Sequence, residues 1–176
     1  MKASRSRRHA LALVLAATMA LGTAGCAQPA PTTPTTTESA AAMEEASSVV
    51  IRDAWVKAAD SGMSAAFGVL VNDGDEDVRI VASTCGASPI MELHETVENA
   101  DGQMIMREKD GGFVLPAHSE YLLEPGANHL MLMDIVDPVE AGETISFALE
   151  FEDGSVYEFD APAKDYAGAN ETYVDE

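Results

Sequence analysis

Residues 125–135 read Pro125-Gly126-Ala127-Asn128-His129-Leu130-Met131-Leu132-Met133-Asp134-Ile135. A Pro-Gly turn signal leads into an alternating run. Successive side chains of a strand point to opposite faces. His129, Met131 and Met133 therefore share one face, and Leu130 and Leu132 share the other.

Working outward, the same short-strand grammar recurs on both sides. Strands are expected near Val49–Ala54, Ala65–Asn72, Val78–Ser83, Met91–Glu98, Gln103–Arg107, Gly112–Leu115, Glu120–Glu124, His129–Ile135, Thr144–Phe151 and Val156–Ala161. Between them lie Asn72-Asp73-Gly74, Asp101-Gly102, Asp110-Gly111-Gly112, Pro125-Gly126, Ala141-Gly142 and Asp153-Gly154. Those residues supply turn conformations. No convincing helix-period stretch appears in the domain. Many short strands at this spacing predict an all-β domain over 49–163, an antiparallel sandwich or barrel. Trp55 and Phe67 read as core anchors.

The two ends differ from this middle. Lys2, Arg5, Arg7 and Arg8 precede an apolar run from Ala10 to Leu21 and the small-residue stretch Thr23-Ala24-Gly25-Cys26. That is the pattern of a signal peptide over 1–25. The run is shorter than the roughly 20 apolar residues that a membrane span needs. Ala24-Gly25-Cys26 is similar to a bacterial lipobox, which implies lipidation of Cys26. Residues 26–48, rich in Pro, Thr, Ala and Ser, read as a flexible linker. Residues 164–176 are polar and acidic without apolar period and read as a disordered tail. The expected location is extracytoplasmic, held to the membrane by lipid alone, or secreted or periplasmic if Cys26 carries none.

Composition bounds the partners. The chain has 176 residues, 47% of them hydrophobic, with 30 acidic against 10 basic side chains and a formal charge of −20. Phosphate binding needs a basic face, so nucleic acid is excluded as a partner. With Cys26 lipidated, Cys85 has no partner for a disulfide.

Soft donors cluster instead. Met91-Glu92-Leu93-His94 is followed by Met104-Ile105-Met106 and then by His129-Leu130-Met131-Leu132-Met133. Thioether sulfur is soft, neutral and does not titrate, and imidazole is a borderline donor. Together they suit Cu(I) and suit Zn, Mg or Ca poorly. Methionine is also an adaptable core filler. Spacing alone therefore leaves a metal pocket and a plain core strand as alternatives. His118, in Pro116-Ala117-His118-Ser119, reads as a solvated turn residue.

The segment from His94 to Met131 resembles the periplasmic copper chaperone family PCu(A)C. Its signature is a His, a Met about a dozen residues on, and a His-x-Met beyond. His94, Met106 and His129-Leu130-Met131 fill those places. Flanking text agrees at Gly102-Gln103-Met104-Ile105-Met106-Arg107, Leu115-Pro116-Ala117 and Glu124-Pro125-Gly126. It also agrees at Asp53-Ala54-Trp55, Ala65-Ala66-Phe67 and the stretch from Phe147 to Gly154. The methionine found after the first His in some members is Glu95 here.

The resemblance implies a cupredoxin-like Greek-key β domain that binds Cu(I) at a partly exposed site. The implied ligands are His94, Met106, His129 and Met131, with Met104 as an alternate for Met106. It also implies delivery to extracytoplasmic targets, chiefly the dinuclear copper centre of cytochrome c oxidase, beside a thioredoxin-like assembly protein. Two rivals stand against it. A blue-copper electron carrier needs a Cys thiolate with two His, for which Cys85 is the candidate. A non-metal binding module needs no donors at all. No nucleophile elbow, His-Glu-x-x-His helix, P-loop or dinucleotide fingerprint points to an enzyme.

Overall fold

The structure, a computed structural model, describes residues 44–169 and 172–174. The expected signal segment, Cys26 and the linker up to residue 43 lie outside the described residues. The described chain runs α1 (Glu44–Ser48), β1 (Val49–Lys57), β2 (Gly62–Asn72), β3 (Val78–Cys85), β4 (Met91–Glu98), β5 (Met104–Glu108) and β6 (Phe113–Leu115). It continues with β7 (Ser119–Leu123), β8 (His129–Ile135), β9 (Thr144–Phe151), β10 (Val156–Lys164) and β11 (Thr172–Tyr173). Every strand expected from the sequence is present.

The bounds of seven strands move by one to three residues, and the largest shifts have a pairing reason. β2 begins at Gly62 rather than Ala65, because Ile135 at the end of β8 offers it a partner. β1 and β10 each run on to a lysine, because Val56 pairs with Ala163 and Lys57 with Lys164. Past residue 163, where a disordered tail was expected, Thr172 and Tyr173 pair with Ile105 and Met106. The short helix α1 also replaces the last residues of the expected linker. Its amides are met from the β9–β10 turn: Ala46 N donates to Ser155 Oγ (3.0 Å) and Glu45 N to Asp153 Oδ2 (3.2 Å).

The strand order is β11-β5-β4-β8-β2-β1-β10-β9-β3-β6, with β7 also on β2. β2 is long enough to take two partners on one edge. β8 pairs with its first half and β7 with its second. Pairing is antiparallel except at β1–β10 and β11–β5, two departures from the purely antiparallel expectation. The β1–β10 join links the two halves of the sheet. The main core draws Val49, Val56, Leu70, Leu130 and Leu132 from one half and Val78, Ile80, Phe147, Leu149 and Phe151 from the other. This is an all-β, cupredoxin-like Greek-key sandwich.

One polar residue is locked into this frame. Asn72 is fully buried at the end of β2. Its Nδ2 donates to Glu76 O (2.8 Å), Leu115 O (3.1 Å) and Pro116 O (3.2 Å), and its Oδ1 accepts from Gly74 N (2.9 Å). The Asn-Asp-Gly turn is thus tied to the strands around it.

Candidate metal centre

β8 is buried on both faces. Leu130 and Leu132 enter the main core, while Met131 joins a second, smaller cluster with Ala65, Phe67 and Met106. Antiparallel register decides what else reaches that second face. His94 on β4 stands directly opposite His129 on β8, and Met131 stands between Glu92 on β4 and Ala65 on β2. Met106 on β5 stands opposite Thr96, which shares a β4 face with His94. Directly paired residues lie on the same face. His94, Met106 and the pair His129 and Met131, drawn from three separate strands, therefore share one face of the sheet.

All four are buried, at 0%, 6%, 4% and 3% exposure respectively. The resemblance implied a partly exposed site, and the difference has a visible cause. Trp55 and Phe67 wall the cluster, with rings 4.6 Å apart, and Ala169 and Tyr173 pack onto it. Tyr173 lies nearly parallel to the His94 ring at 5.4 Å. Tyr166 meets Trp55 edge-on, and Lys57 Nζ donates to the carbonyls of Gly168 (2.6 Å) and Ala169 (3.2 Å). Tyr166, Ala169 and Tyr173, all beyond β10, are thereby placed against the site. Phe67, expected as a core anchor, is buried within this smaller cluster, and Trp55 packs half-buried against it. Asp53, with φ of 53°, sits where the β1–β2 register shifts between Arg52 and Trp55. A bulge of this kind re-aims the residue that follows.

The imidazoles are oriented by their own hydrogen bonds. A carboxylate only accepts, so His94 Nε2 donates to Glu92 Oε2, at 2.6 Å. The lone pair then lies on Nδ1, which is buried and has no hydrogen-bond partner among the described residues. His129 Nδ1 donates to Ala127 O at 2.9 Å, which places the His129 lone pair on Nε2. Ala127 O also accepts from Thr96 Oγ1 at 3.2 Å. That carbonyl is set by the turn before β8. Ala127 N donates to Glu124 O (3.0 Å) across Pro125-Gly126, and Gly126 has φ of 82°. Pro at the first central position and a positive-φ Gly at the second make a type II turn. A ring nitrogen bonded to a carboxylate or carbonyl is the usual device that orients a ligating histidine.

A pocket of about 200 Å³ opens onto this cluster. Its lining includes Met106, His129, Met131, Phe67, Lys57 and Met63. Met63, Glu92 and Tyr173 were not singled out by the sequence. Met63 follows a Ser-Gly pair that reads as a turn, and Tyr173 stands in a polar stretch without period. Neither His94, which is fully buried, nor Met104 lines the pocket; Met104 is half exposed, whereas Met106 is buried in the cluster with Met131, and this favours Met106 over it. His118 is exposed, at 3.0 Å from Asp75, away from the site. Among the described residues, no cluster of three His, Cys, Asp or Glu is placed to hold a metal.

Cys85 does not join the site. It packs against the main core with its Sγ 3.4 Å from Met91 Sδ. Burial pushes its thiol pKa up, against weaker lowering by the Ala87 and Ser88 amides. Glu95, in place of the optional family methionine, points to the opposite face from His94. It is bound there by Lys109 (2.6 Å) and Arg107 (3.2 Å). No helix among the described residues is long and apolar enough to cross a membrane.

Three relatives bear on this arrangement. A "putative lipoprotein" of Leifsonia xyli subsp. xyli is 43% identical over 157 residues, covering 89% of this chain and 91% of its own. The copper-bound PCuAC domain from PmoF2 superposes with a TM-score of 0.55 at 19% identity, covering 68% of this chain and 94% of that one. The Cu(I) form of DR1885 from Deinococcus radiodurans superposes with a TM-score of 0.51 at 23% identity, covering 82% and 98%. These two share the fold that the sequence resemblance implied. The family model described as "Putative lipoprotein LpqE-like" matches residues 49–163. The chain therefore belongs to the LpqE-like family, built on the fold of the PCuAC domains.

Proposed function

We propose that this protein is an extracytoplasmic copper chaperone that carries Cu(I) on His94 Nδ1, His129 Nε2 and the thioethers of Met106 and Met131. The observation that carries the reading is the pairing of His94 with His129, each with one ring N–H engaged and both on the sheet face that bears the buried Met106 and Met131. Ring spacing supports it. A metal–imidazole bond of about 2.0 Å places an ion about 3 Å from the ring centroid, so two imidazoles sharing one ion near a tetrahedral angle have centroids about 5 Å apart. The two rings stand 5.3 Å apart.

Donor chemistry selects the ion. Two thioethers and two neutral imidazoles add no charge, and soft sulfur favours Cu(I). A divalent ion would keep two charges in a buried site, at a much larger desolvation cost. Glu92, bonded to His94, supplies one nearby negative charge, which matches a monovalent ion. The thioethers do not titrate, so binding here needs little proton release, unlike binding at a thiolate site. A blue-copper reading finds no support, since Cys85 packs elsewhere.

The copper and lipoprotein names carried by relatives support the cargo and the anchor. On this reading Cys26 carries lipid and holds the domain outside the cytoplasm. Delivery goes to extracytoplasmic acceptors such as the dinuclear copper centre of cytochrome c oxidase, beside a thioredoxin-like assembly protein.

Conservative variants test the ligand set, because alanine at buried Met131 would open a cavity costing about 2–5 kcal/mol. Met106→Leu and Met131→Leu keep shape at under about 1.5 kcal/mol. Each should weaken Cu(I) binding sharply in competition with a chromophoric chelator. Wild-type affinity in both variants would refute the assignment.

A further inference from the structure

The proposed ligands are buried, so Cu(I) must pass something to reach them. On one side the way is closed: Tyr173 stacks on His94, and Thr172 and Tyr173 pair along β5. The pocket offers the opening. Of its lining residues only Met63 and Gly126 are exposed. Gly126 has no side chain. Met63 is 46% exposed, large and apolar, and it is the soft donor at the mouth.

Its placement has a local cause. The β2–β8 register shifts between Gly62 and Ser64, so that Gly62 pairs with Ile135 but Ser64 with Leu132. Met63 thus faces two residues of β8, Met133 and Asp134, instead of one. Bulges re-aim side chains beside functional sites. Here the bulge stands at the rim of the pocket, and Met133 packs half-buried against the cluster that holds Met131 and Met106. Thioethers therefore run from the surface inward.

Resting on the copper reading above, we propose that Met63 is the entry ligand through which Cu(I) is captured and released. Cu(I) passes between proteins by ligand exchange, one donor bond forming as another breaks. At Met63 the thioether sulfur bonds to the ion as a donor of the delivering molecule leaves, and it leaves in turn as the buried set closes on the ion. The metal stays monovalent, and because the donor is neutral no proton moves. A residue on the path but absent from the end state lowers the barrier in both directions and leaves the equilibrium alone.

The test is stopped-flow transfer of Cu(I) from its bathocuproine disulfonate complex to the apo domain, and back from the loaded domain to excess chelator. Met63→Leu keeps an exposed apolar side chain and removes the sulfur. It should slow loading and unloading alike by about tenfold while leaving Kd within about twofold. Met104→Leu, half exposed but outside the pocket, should leave both rates unchanged. Wild-type rates in Met63→Leu would overturn the proposal. So would equal slowing by Met104→Leu, or a weaker Kd carried by faster release alone, which would make Met63 a resident ligand. Failure of the wild type to take up any Cu(I) would instead overturn the chaperone reading, and the entry ligand with it.

Discussion

Replacing His94 by phenylalanine separates the site from the fold. His94 is fully buried, stacks on Tyr173 and meets His129 edge-on at 5.3 Å. Phenylalanine keeps a planar ring in that space. The change loses the hydrogen bond to Glu92, a charge-assisted contact of about 1.5–3 kcal/mol. It also removes the buried Nδ1 acceptor, which has no partner among the described residues and whose burial costs about 1–3 kcal/mol. The two terms oppose each other, so apo stability should stay within about 1.5 kcal/mol of wild type. Alanine at the same position would leave a ring-sized cavity and cost about 3–5 kcal/mol. Copper binding should respond quite differently. Removing a group that merely supports a ligand costs about 10–100-fold in metal affinity, and His94 is the ligand itself in this account. His94→Phe should therefore weaken Cu(I) binding by more than about 100-fold. Urea unfolding of the apo protein reads the first quantity and chelator competition reads the second. An apo stability loss above about 3 kcal/mol would mean that Nδ1 is satisfied after all, and undiminished copper affinity would remove His94 from the site.

Two further outcomes follow from the frame. Asn72→Ala strips four hydrogen bonds from a buried turn and should lower unfolding free energy by about 2–4 kcal/mol; a loss under about 1 kcal/mol would contradict the role given to Asn72. Glu95 is held below the usual carboxyl range by its hydrogen bond to Lys109, which with the pull of both cations outweighs partial burial. A depressed folded pKa contributes stability above the ordinary value and loses it as pH falls through the folded one. Glu95→Gln should cost about 0.5–1 kcal/mol near neutral pH, with the gap closing below about pH 4; a gap that stays constant on acidification would sink this reading.

The sequence disclosed the faces of strands more readily than their neighbours. Alternation in His129-Leu130-Met131-Leu132-Met133 shows which side chains travel together, because strand period is a local property. The opposition of His94 and His129 is not local. It depends on β4 and β8 pairing across a long intervening stretch, and a one-residue slip would send His94 to the other face. Only the family resemblance tied these residues together in advance. Met63 was hidden because Ser61-Gly62 reads as a turn, whereas β8 recruits it into β2. Tyr173 was hidden because backbone pairing with β5 needs no apolar period. Trp55 and Phe67 were recognisable as core aromatics, of which Phe67 is buried and Trp55 half-buried, yet that they serve the smaller cluster depends on strand pairing that is not local.

X-ray absorption on the Cu(I)-loaded protein bears on the central claim most directly, since it counts the neighbours of the ion. Two thioether sulfurs and two imidazole nitrogens around each copper are the expected result. A first coordination shell without sulfur, or one built on the Cys85 thiolate, would contradict it.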